Sequence, residues 1–304
     1  MRLHDYGVRL TLVDSLIPEY GGNLYNVSTI ANEVKINISD VRDQHSLKYL
    51  LAEQDIVFNL AGQTSHMDSM SDPATDLEIN CRAQLSILET LRHYNPEAIV
   101  VYPSTRQIYG RPQRLPVDET HPLHPVDVNG INKMAGEWYH ILYNEVYGLR
   151  TSSLRLTNTI GPRMRIKDAR QTFLGVWVRE ILMGKPIEVW GGEQLRDFTD
   201  VEDAIDALLL ASVHEQAYGK IYNVGGFEPI SLKNLAELLI EINGSGDYIV
   251  KEYPTDRKKI DIGNYYADYS LIKADLDWNP CISLRKSLER IIEYYRKHMK
   301  HYVE

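Results

Sequence analysis

Three short polar segments carry side chains that could bind or transform an oxygen-bearing substrate. Thr105 has a hydroxyl that can donate and accept hydrogen bonds, which suits an oxygen passing between alcohol and ketone. Lys133 supplies a cation shortly after Asn129, whose carboxamide exchanges no proton near neutral pH. Together these groups suit a reaction at an alcohol oxygen, but they do not identify the group that accepts the proton. The segments read PSTRQIYG at 103–110, NGINK at 129–133 and LRLTNTIGPR at 154–163.

A fourth segment, VWGGEQLRDFT at 189–199, adds Arg196. A guanidinium group can hold phosphate oxygens through two parallel hydrogen bonds, so Arg196 is a candidate for binding a diphosphate. The formal charge of −9 argues against a nucleic-acid binder, which needs a basic surface to neutralise phosphates. The same charge is compatible with a small anionic ligand, because a few local arginines can bind a diphosphate in an acidic protein.

Composition and length predict an ordinary globular protein. The chain has 304 residues, 43% of them apolar and 25% charged. No apolar run approaches the roughly 18 residues of a membrane span, and the N-terminus has no signal-peptide core. Cys81 and Cys281 lie far apart and form no metal-binding motif. We therefore expect a cytoplasmic protein with reduced thiols, no metal and no membrane partner.

Short β-branched segments alternate with helical patterns in the first half of the chain. The segment RLTLVD predicts a buried strand that ends on Asp14. Alternating strands and helices indicate parallel βαβ units in a doubly wound α/β sheet. The predicted strands are 9–14, 34–38, 55–60, 98–102 and 150–156, and the predicted helices are 76–94, 133–147, 173–183, 201–212, 232–242 and 284–298.

In their order, the polar segments resemble the active-site half of an extended short-chain dehydrogenase/reductase. This is the family of NAD-dependent nucleotide-sugar epimerases and dehydratases, and the resemblance extends over essentially the whole chain. It implies an NAD-binding Rossmann-like domain at 1–162, with a returning segment near 197–226. It also implies a smaller α/β lobe at 163–304 that binds a nucleotide-diphosphate sugar. The family has Tyr-x-x-x-Lys where this chain has Asn129 followed by Lys133.

The resemblance implies roles for individual residues. Thr105 matches the hydroxyl that contacts the reacting sugar oxygen, Lys133 matches the family lysine, and Asn129 stands at the catalytic tyrosine position. An acid at the end of a strand, such as Asp14, can accept hydrogen bonds from ribose hydroxyls, which favours NAD over NADP. The implied cofactor-binding residues are Asp14, Asp40, Val41, Leu60, Ala61, Gly62 and Lys133, and the implied substrate-binding residues are Asn158, Arg163, Arg196 and Arg257.

Within the family, the residues after Thr105 favour an epimerase that acts by transient oxidation at the sugar C4. The 4,6-dehydratases have Asp-Glu at this place, whereas the chain has Arg106 and Gln107, which are unsuited to eliminating water. A catalytically silent nucleotide-binding protein remains an alternative, and a 4-keto-sugar reductase would still need a proton donor. Tyr109, His121 or His124 could replace the missing tyrosine, or a water held by Asn129, Lys133 and the cofactor ribose could relay the proton.

Two further expectations come from the resemblance. The family begins with a strand, a glycine-rich turn and a helix, whereas residues 1–7 resemble the end of that helix. Either translation starts at an internal methionine or the protein is truly shortened, and an added upstream segment should then restore NAD binding. The helices at 76–94 and 133–147 match those through which family members dimerise. A stripe of Trp138, Ile141, Leu142 and Val146 would serve a homodimer or packing on the sheet.

Overall fold

The structure is a computed structural model that describes residues 1–303, except for the side chain of residue 256. Twelve β-strands lie within the described residues: β1 Thr11–Asp14, β2 Lys35–Ile38, β3 Ile56–Phe58, β4 Ile99–Thr105, β5 Arg150–Leu156, β6 Asn158–Ile160, β7 Ile187–Trp190, β8 Leu195–Arg196, β9 Phe198–Asp200, β10 Ile221–Val224, β11 Ile230–Ser231 and β12 Tyr248–Lys251. Thirteen α-helices accompany them: α1 Arg2–Asp5, α2 Gln44–Leu51, α3 His66–Ser71, α4 Pro73–Leu77, α5 Ala83–Tyr94, α6 Val128–Tyr147, α7 Phe173–Leu182, α8 Val201–Val213, α9 Leu232–Asn243, α10 Thr255–Lys259, α11 Ser270–Leu276, α12 Leu284–His298 and α13 Lys300–Val303.

A parallel sheet in the order β10-β5-β4-β3 forms the centre of the first half of the molecule. Val100 and Val101 are adjacent in β4 and fully buried on opposite faces, because side chains alternate along a strand. Val100 packs with Leu88 of α5, and Val101 packs with Ala207 of α8. Helices therefore cover both faces, and the predicted doubly wound α/β class is confirmed.

The first two strands differ from the sequence expectation. β1 and β2 form a separate two-stranded parallel sheet, and neither is hydrogen-bonded to β3. Val13 is 38% exposed and Ile38 is 66% exposed, so the prediction of a buried strand at 9–14 was wrong. The physical reason is that a strand becomes buried when its sheet is covered on both faces, and the covered sheet here starts at β3.

A second core lies in the later part of the chain. It joins Trp177 of α7, Leu235 of α9 and Ile291 of α12, all nearly or fully buried. Short two-stranded sheets border it, and sequence analysis missed them because they contain only two to four residues a strand. The pairs are β7 with β12 and β6 with β9, both parallel, and β8 with β11, antiparallel. By contrast, β10 belongs to the four-stranded sheet β10-β5-β4-β3, and α11 packs against that sheet.

The long helix α6 starts earlier than its apolar pattern predicted. Asp127 is its N-cap, and its Oδ1 atom accepts a hydrogen bond of 2.6 Å from the backbone N–H of Gly130. Asn129 and Lys133 therefore both lie in the first two turns of the helix. Among the described residues, no helix combines the length and the apolar character needed to cross a membrane.

Candidate active site

Thr105 and the Lys133 ammonium both lie near the carboxyl end of β4. Thr105 is the last residue of the strand, and its hydroxyl oxygen accepts a hydrogen bond of 3.2 Å from the backbone N–H of Gln107. The ammonium of Lys133 reaches from α6 to within 3.4 Å of the Pro103 carbonyl oxygen in the same strand. In open parallel α/β sheets this edge is where ligands bind. The predicted hydroxyl and the predicted cation therefore both lie on this side of the sheet, and their roles stay predictions.

The Lys133 ammonium is confined by its surroundings. It lies 4.9 Å from the centre of the Tyr102 ring, and burial lowers the pKa of Lys133 to about 8. A Cβ atom on Gly62 would stand 3.0 Å from Nζ, so a side chain at position 62 would press on the lysine. Glycine is therefore needed at position 62 because it lets the Lys133 side chain approach closely, and not because the backbone there has an unusual angle.

Asn129 points into a buried polar network. Its Nδ2 atom donates hydrogen bonds of 2.8 Å to the Gln63 carbonyl and 3.0 Å to Asp76 Oδ2. Its backbone N–H donates to the Ser69 hydroxyl at 3.2 Å. Asn129 is 3% exposed, and the hydrogens of its amide group are used in these hydrogen bonds. Asn129 therefore links α6 to Gln63 and Asp76.

Asp76 is the centre of this network, and sequence analysis missed it. Three asparagine amides, those of Asn80, Asn129 and Asn132, donate to its carboxylate at 3.0, 3.0 and 2.8 Å. Asp76 is 1% exposed, and its negative charge favours the charged form of Lys133. The spacing of Asp76 and Asn80 along one helical face was the available signal, but their link to α6 joins residues far apart in the chain.

The three side chains suggested as replacements for the catalytic tyrosine lie in surroundings of their own. Tyr109 is fully buried, donates to Asn223 Oδ1 at 2.8 Å, and burial raises the pKa of Tyr109 to about 12. The Nε2 atom of His121 accepts from the backbone N–H of Gln113 at 2.9 Å, and its Nδ1 atom lies 2.8 Å from the Pro122 carbonyl. These contacts occupy both residues as structural groups. His124 is exposed.

The other residues predicted to bind the cofactor lie at or just after the ends of the first three strands. Asp14 is exposed, and its Oδ1 atom accepts from the backbone N–H of Leu16 at 2.7 Å. Asp40 is clasped by the Arg42 guanidinium at 2.6 and 2.9 Å, which lowers the pKa of Asp40. Val41 packs against the α2–α5 side of the sheet, Leu60 is 62% exposed, and Ala61 is half-buried.

Several buried polar atoms near Lys133 lack partners among the described residues. They are Asn80 Oδ1, the Tyr102 hydroxyl and Ser104 Oγ. Buried polar groups are generally hydrogen-bonded, so such a cluster marks a place where a polar ligand would fit. Lys133 also has spare hydrogen-bond capacity, because its contact with the Pro103 carbonyl is a single long one. This pattern suits the ribose and amide groups of a nicotinamide nucleotide.

Two of the predicted substrate arginines lie together at the edge of the second lobe. The Arg196 guanidinium pairs with Asp261 at 2.9 Å and donates to the Gly263 carbonyl. The Arg257 guanidinium lies 4.5 Å from the centre of the Trp190 ring. The positive charges of both arginines act on the Tyr253 hydroxyl, whose pKa is nevertheless raised to about 12 by burial.

The other two predicted substrate residues separate. Asn158 is half-buried at the start of β6, and its Nδ2 atom donates to the Asp197 carbonyl at 2.9 Å, close in sequence to Arg196. Arg163 is exposed. Its backbone interacts with the Tyr295 hydroxyl, and its positive charge interacts with the Tyr302 hydroxyl, both in the C-terminal helices. Arg163 thus interacts with the C-terminal helices, whereas Arg196 pairs with Asp261.

Arg106 is a charged residue whose role is not evident from its position in the sequence. Within the part of the chain that the structure describes, its guanidinium forms no ion pair and contacts the Tyr265 ring at 5.7 Å. Burial, with a smaller effect of Arg196, lowers the pKa of Arg106 to about 10, so it stays charged at neutral pH. Arg106 and Arg196 therefore lie close together, and the nearby carboxylates of Asp197 and Asp261 offset part of their positive charge.

Comparison with known proteins places these features in a family. The sequence profile of the NAD dependent epimerase/dehydratase family matches residues 2–225. A provisionally named UDP-glucose 4-epimerase of Methanocaldococcus jannaschii is 30% identical, covering 90% of this chain and 87% of that protein. A dTDP-glucose 4,6-dehydratase of Actinoplanes is 28% identical over 95% of this chain and 88% of its own. The UDP-glucose 4-epimerase of Thermotoga maritima, solved with UDP-glucose, superposes with a TM-score of 0.90 at 27% identity, covering 98% and 94% of the two chains.

Proposed function

The chain belongs to the NAD-dependent epimerase/dehydratase family, and we propose that it is a sugar-nucleotide epimerase that transiently oxidises the hexose at C4. The observation that supports this most directly is that Thr105 ends β4 and that the Lys133 ammonium lies 3.4 Å from the Pro103 carbonyl oxygen in the same strand. The substrate would be a nucleotide-diphosphate sugar. Its diphosphate would lie near Arg106, Arg196 and Arg257, whose three positive charges are offset only in part by Asp197 and Asp261.

NAD would be held along the ends of β1 to β4. Asp14 would accept from the adenosine ribose, and Lys133 would donate to the nicotinamide ribose, with Gly62 leaving room for it. When bound, the cofactor supplies reversible hydride acceptance from a sugar carbon. The Thr105 hydroxyl would donate to or accept from the sugar oxygen as it alternates between alcohol and ketone.

Arg106 and Gln107 support epimerisation over dehydration. Elimination of water needs one group that gives a proton and one that takes a proton. Arg106 stays charged at neutral pH, and the Gln107 amide donates to Asp127 Oδ2 at 2.8 Å and cannot titrate. With these residues beside the sugar, a 4-keto intermediate would be returned to an alcohol rather than lose its C6 hydroxyl.

The purified protein, supplied with NAD, would be incubated with UDP- and dTDP-hexoses in deuterated water. We expect the C4 epimer as product, seen by proton NMR, without deuterium at C5. A 4-keto-6-deoxy product carrying deuterium at C5, the carbon that is reprotonated from solvent after water is eliminated, would show a dehydratase instead. Tight binding of NAD and sugar nucleotide without any product would support the alternative, a catalytically silent nucleotide-binding protein. The engaged amide of Asn129 is the observation that favours this alternative.

We also propose that the protein forms a homodimer through α6 and the α4–α5 region. Trp138, Leu142 and Val146 recur every fourth residue of α6 and are 51%, 46% and 59% exposed. Leu77 of α4 is 47% exposed, whereas Ile141 is buried against the protein and does not belong to the exposed stripe. A line of apolar side chains at this spacing suits packing against a second helix pair.

A further inference from the structure

His66 and Asp127 form a pair that the preceding roles do not explain. The Nδ1 atom of His66 lies 3.0 Å from Asp127 Oδ2. The Asp127 side chain is fully buried, whereas the His66 side chain is 40% exposed. Nδ1 is buried, and its approach to the carboxylate is a close contact that lacks the alignment of a hydrogen bond. The carboxylate thus faces one edge of the ring, while the ring as a whole is partly exposed.

The pair lies next to Asn129, the residue at the position of the family tyrosine, because Asp127 precedes Asn129 by two residues. His66 is the first residue of α3, midway between Gln63 and Ser69, and both of these bond to Asn129. The segment that carries His66 is therefore fastened on each side to the residue at the tyrosine position. His66 thus lies beside the site where the usual acid/base is replaced by an amide.

Gln107 connects the same pair to Thr105. Its side-chain amide donates to Asp127 Oδ2 at 2.8 Å, and its backbone N–H donates to the Thr105 hydroxyl at 3.2 Å. One residue therefore spans from the hydroxyl that would contact the sugar oxygen to the carboxylate that orients His66. Both ends of this connection lie at the carboxyl edge of the parallel sheet.

The Asp127 carboxylate is stabilised as an anion. Burial alone would raise the pKa of Asp127, but the contacts with His66, the Gly130 N–H and Gln107 outweigh burial and lower it. An ionised carboxylate at Nδ1 favours the tautomer with the proton on that nitrogen.

We propose that His66 is the proton acceptor and donor of this enzyme, with Asp127 as its positioning residue; the assignment rests on the proposed function. In oxidation, Nε2 removes the proton of the sugar C4 hydroxyl while the C4 hydrogen leaves with its electron pair to NAD⁺, which leaves a C4 ketone. In the return step, the imidazolium gives the proton back to the oxygen, and the hydrogen returns to the opposite face of C4. Protons and electrons then balance over the cycle.

The first test uses His66→Ala in the NAD-loaded protein. We expect turnover to fall about 100-fold or more, the usual contribution of a general base, while the affinities for NAD and sugar nucleotide stay within about twofold by calorimetry. Added imidazole should restore turnover, because it can enter the space and accept the proton. His45→Ala, on the exposed side of α2, is the matched control and should keep wild-type turnover.

The second test needs no turnover. In the ¹⁵N-labelled wild-type protein, NMR should show neutral His66 with its proton on Nδ1. Asp127→Asn retains a good N-cap for α6 but removes the charge, so this tautomer preference should weaken and turnover should fall.

Three results would overturn the assignment. Wild-type turnover in His66→Ala would remove His66 as the base and leave the proposed function standing. Loss of turnover with loss of ligand affinity and no imidazole rescue would show that His66 only supports the fold. A wild-type protein that converts no sugar nucleotide would remove the proposed function and the assignment together.

Discussion

Asn129 and Lys133 lie one helical turn apart in α6, yet their surroundings assign them different tasks. The amide of Asn129 is tied to Gln63 and Asp76, so it stabilises the fold around the site. Lys133 is a buried cation with one long hydrogen bond, and a ligand could use its remaining donors. A buried charge without a full set of partners lowers stability, which is a common property of groups retained for function.

Lys133→Met should stabilise the free protein and impair NAD binding. Because burial lowers the pKa of Lys133 to about 8, the folded chain releases this proton at a lower pH than the unfolded chain, whose lysine has an ordinary pKa. The positive charge of Lys133 therefore lowers the free energy of unfolding by its full amount below pH 8. This loss disappears as pH rises towards 10.5. We expect a gain of roughly 2–4 kcal/mol in the free energy of unfolding at pH 7, and a smaller gain at pH 9.5. Urea denaturation at both values tests this.

The control for this substitution is Lys286→Met, at an exposed position of α12, which should change stability little. An unchanged or lower free energy of unfolding in Lys133→Met at pH 7 would contradict the interpretation. NAD titration calorimetry on the same proteins should show weaker binding for Lys133→Met alone.

Asp76→Asn should destabilise the protein although it changes few atoms. Asp76 accepts from three asparagine amides, and a carboxamide presents an N–H₂ group to at least one of these donors. Leaving buried donors unsatisfied costs on the order of 2–4 kcal/mol here, which urea denaturation would measure. Asp72→Asn is the comparison, because Asn can still cap α4. Equal stability of the two variants would show that the Asp76 network contributes nothing.

At the scale of elements, the site depends on how closely α6 approaches the sheet and the α4–α5 region. A π-helical turn at Glu78–Arg82 joins α4 to α5 and carries Asn80 towards Lys133. Gly136 of α6 faces this turn, and a Cβ atom there would stand 2.8 Å from both the Asn80 carbonyl and the Tyr102 hydroxyl. The missing side chain thus permits the contact that brings Lys133 and Asn129 to their partners.

Gly136→Ala should therefore lower stability. Alanine is the better helix former by about 1 kcal/mol, but the clash with the Asn80 carbonyl involves backbone that cannot rotate away. We expect a net loss of about 1–3 kcal/mol in the free energy of unfolding. Glu145→Ala, at an exposed position of the same helix, controls for helix propensity. A more stable Gly136→Ala would mean that α6 can shift without penalty.

For the whole molecule, two features of the surface stand out. The β1–β2 sheet and the four-stranded sheet are not hydrogen-bonded to each other, and apolar side chains such as Val13, Ile38 and Leu60 are exposed at these strand ends. Elsewhere, the stripe of Trp138, Leu142 and Val146 on α6 has no partner within the described residues. Apolar surface of this kind commonly marks a place where a ligand or a partner covers the protein.

Leu142→Glu should disrupt the proposed homodimer. A charge in the centre of an apolar helix interface must be desolvated without a partner, which strongly disfavours association. Light scattering should show a dimer for the wild type and a monomer for Leu142→Glu. Leu271→Glu, at an exposed position on α11, is the control and should remain dimeric. A monomeric wild type at micromolar concentration would refute the dimer.

The sequence by itself determined the α/β class, the order of the main strands and helices, and the family. Period-two and helical patterns are local, so β5 and α12 were predicted with the bounds that the structure has. Thr105 and Lys133 could be named because their segments have characteristic spacing. The assigned domain limits and the roles of the predicted site residues stay predictions.

Only the tertiary structure decided which polar groups meet. Asp76 and Asn129 are 53 residues apart in the chain, and His66 reaches Asp127 from a separate helix. No local pattern encodes such pairs, because they arise where parallel strands bring their following loops to one edge of the sheet. The same holds for burial: β1 has the composition of an inner strand, but exposure depends on what covers the sheet, and that is a property of the assembled fold.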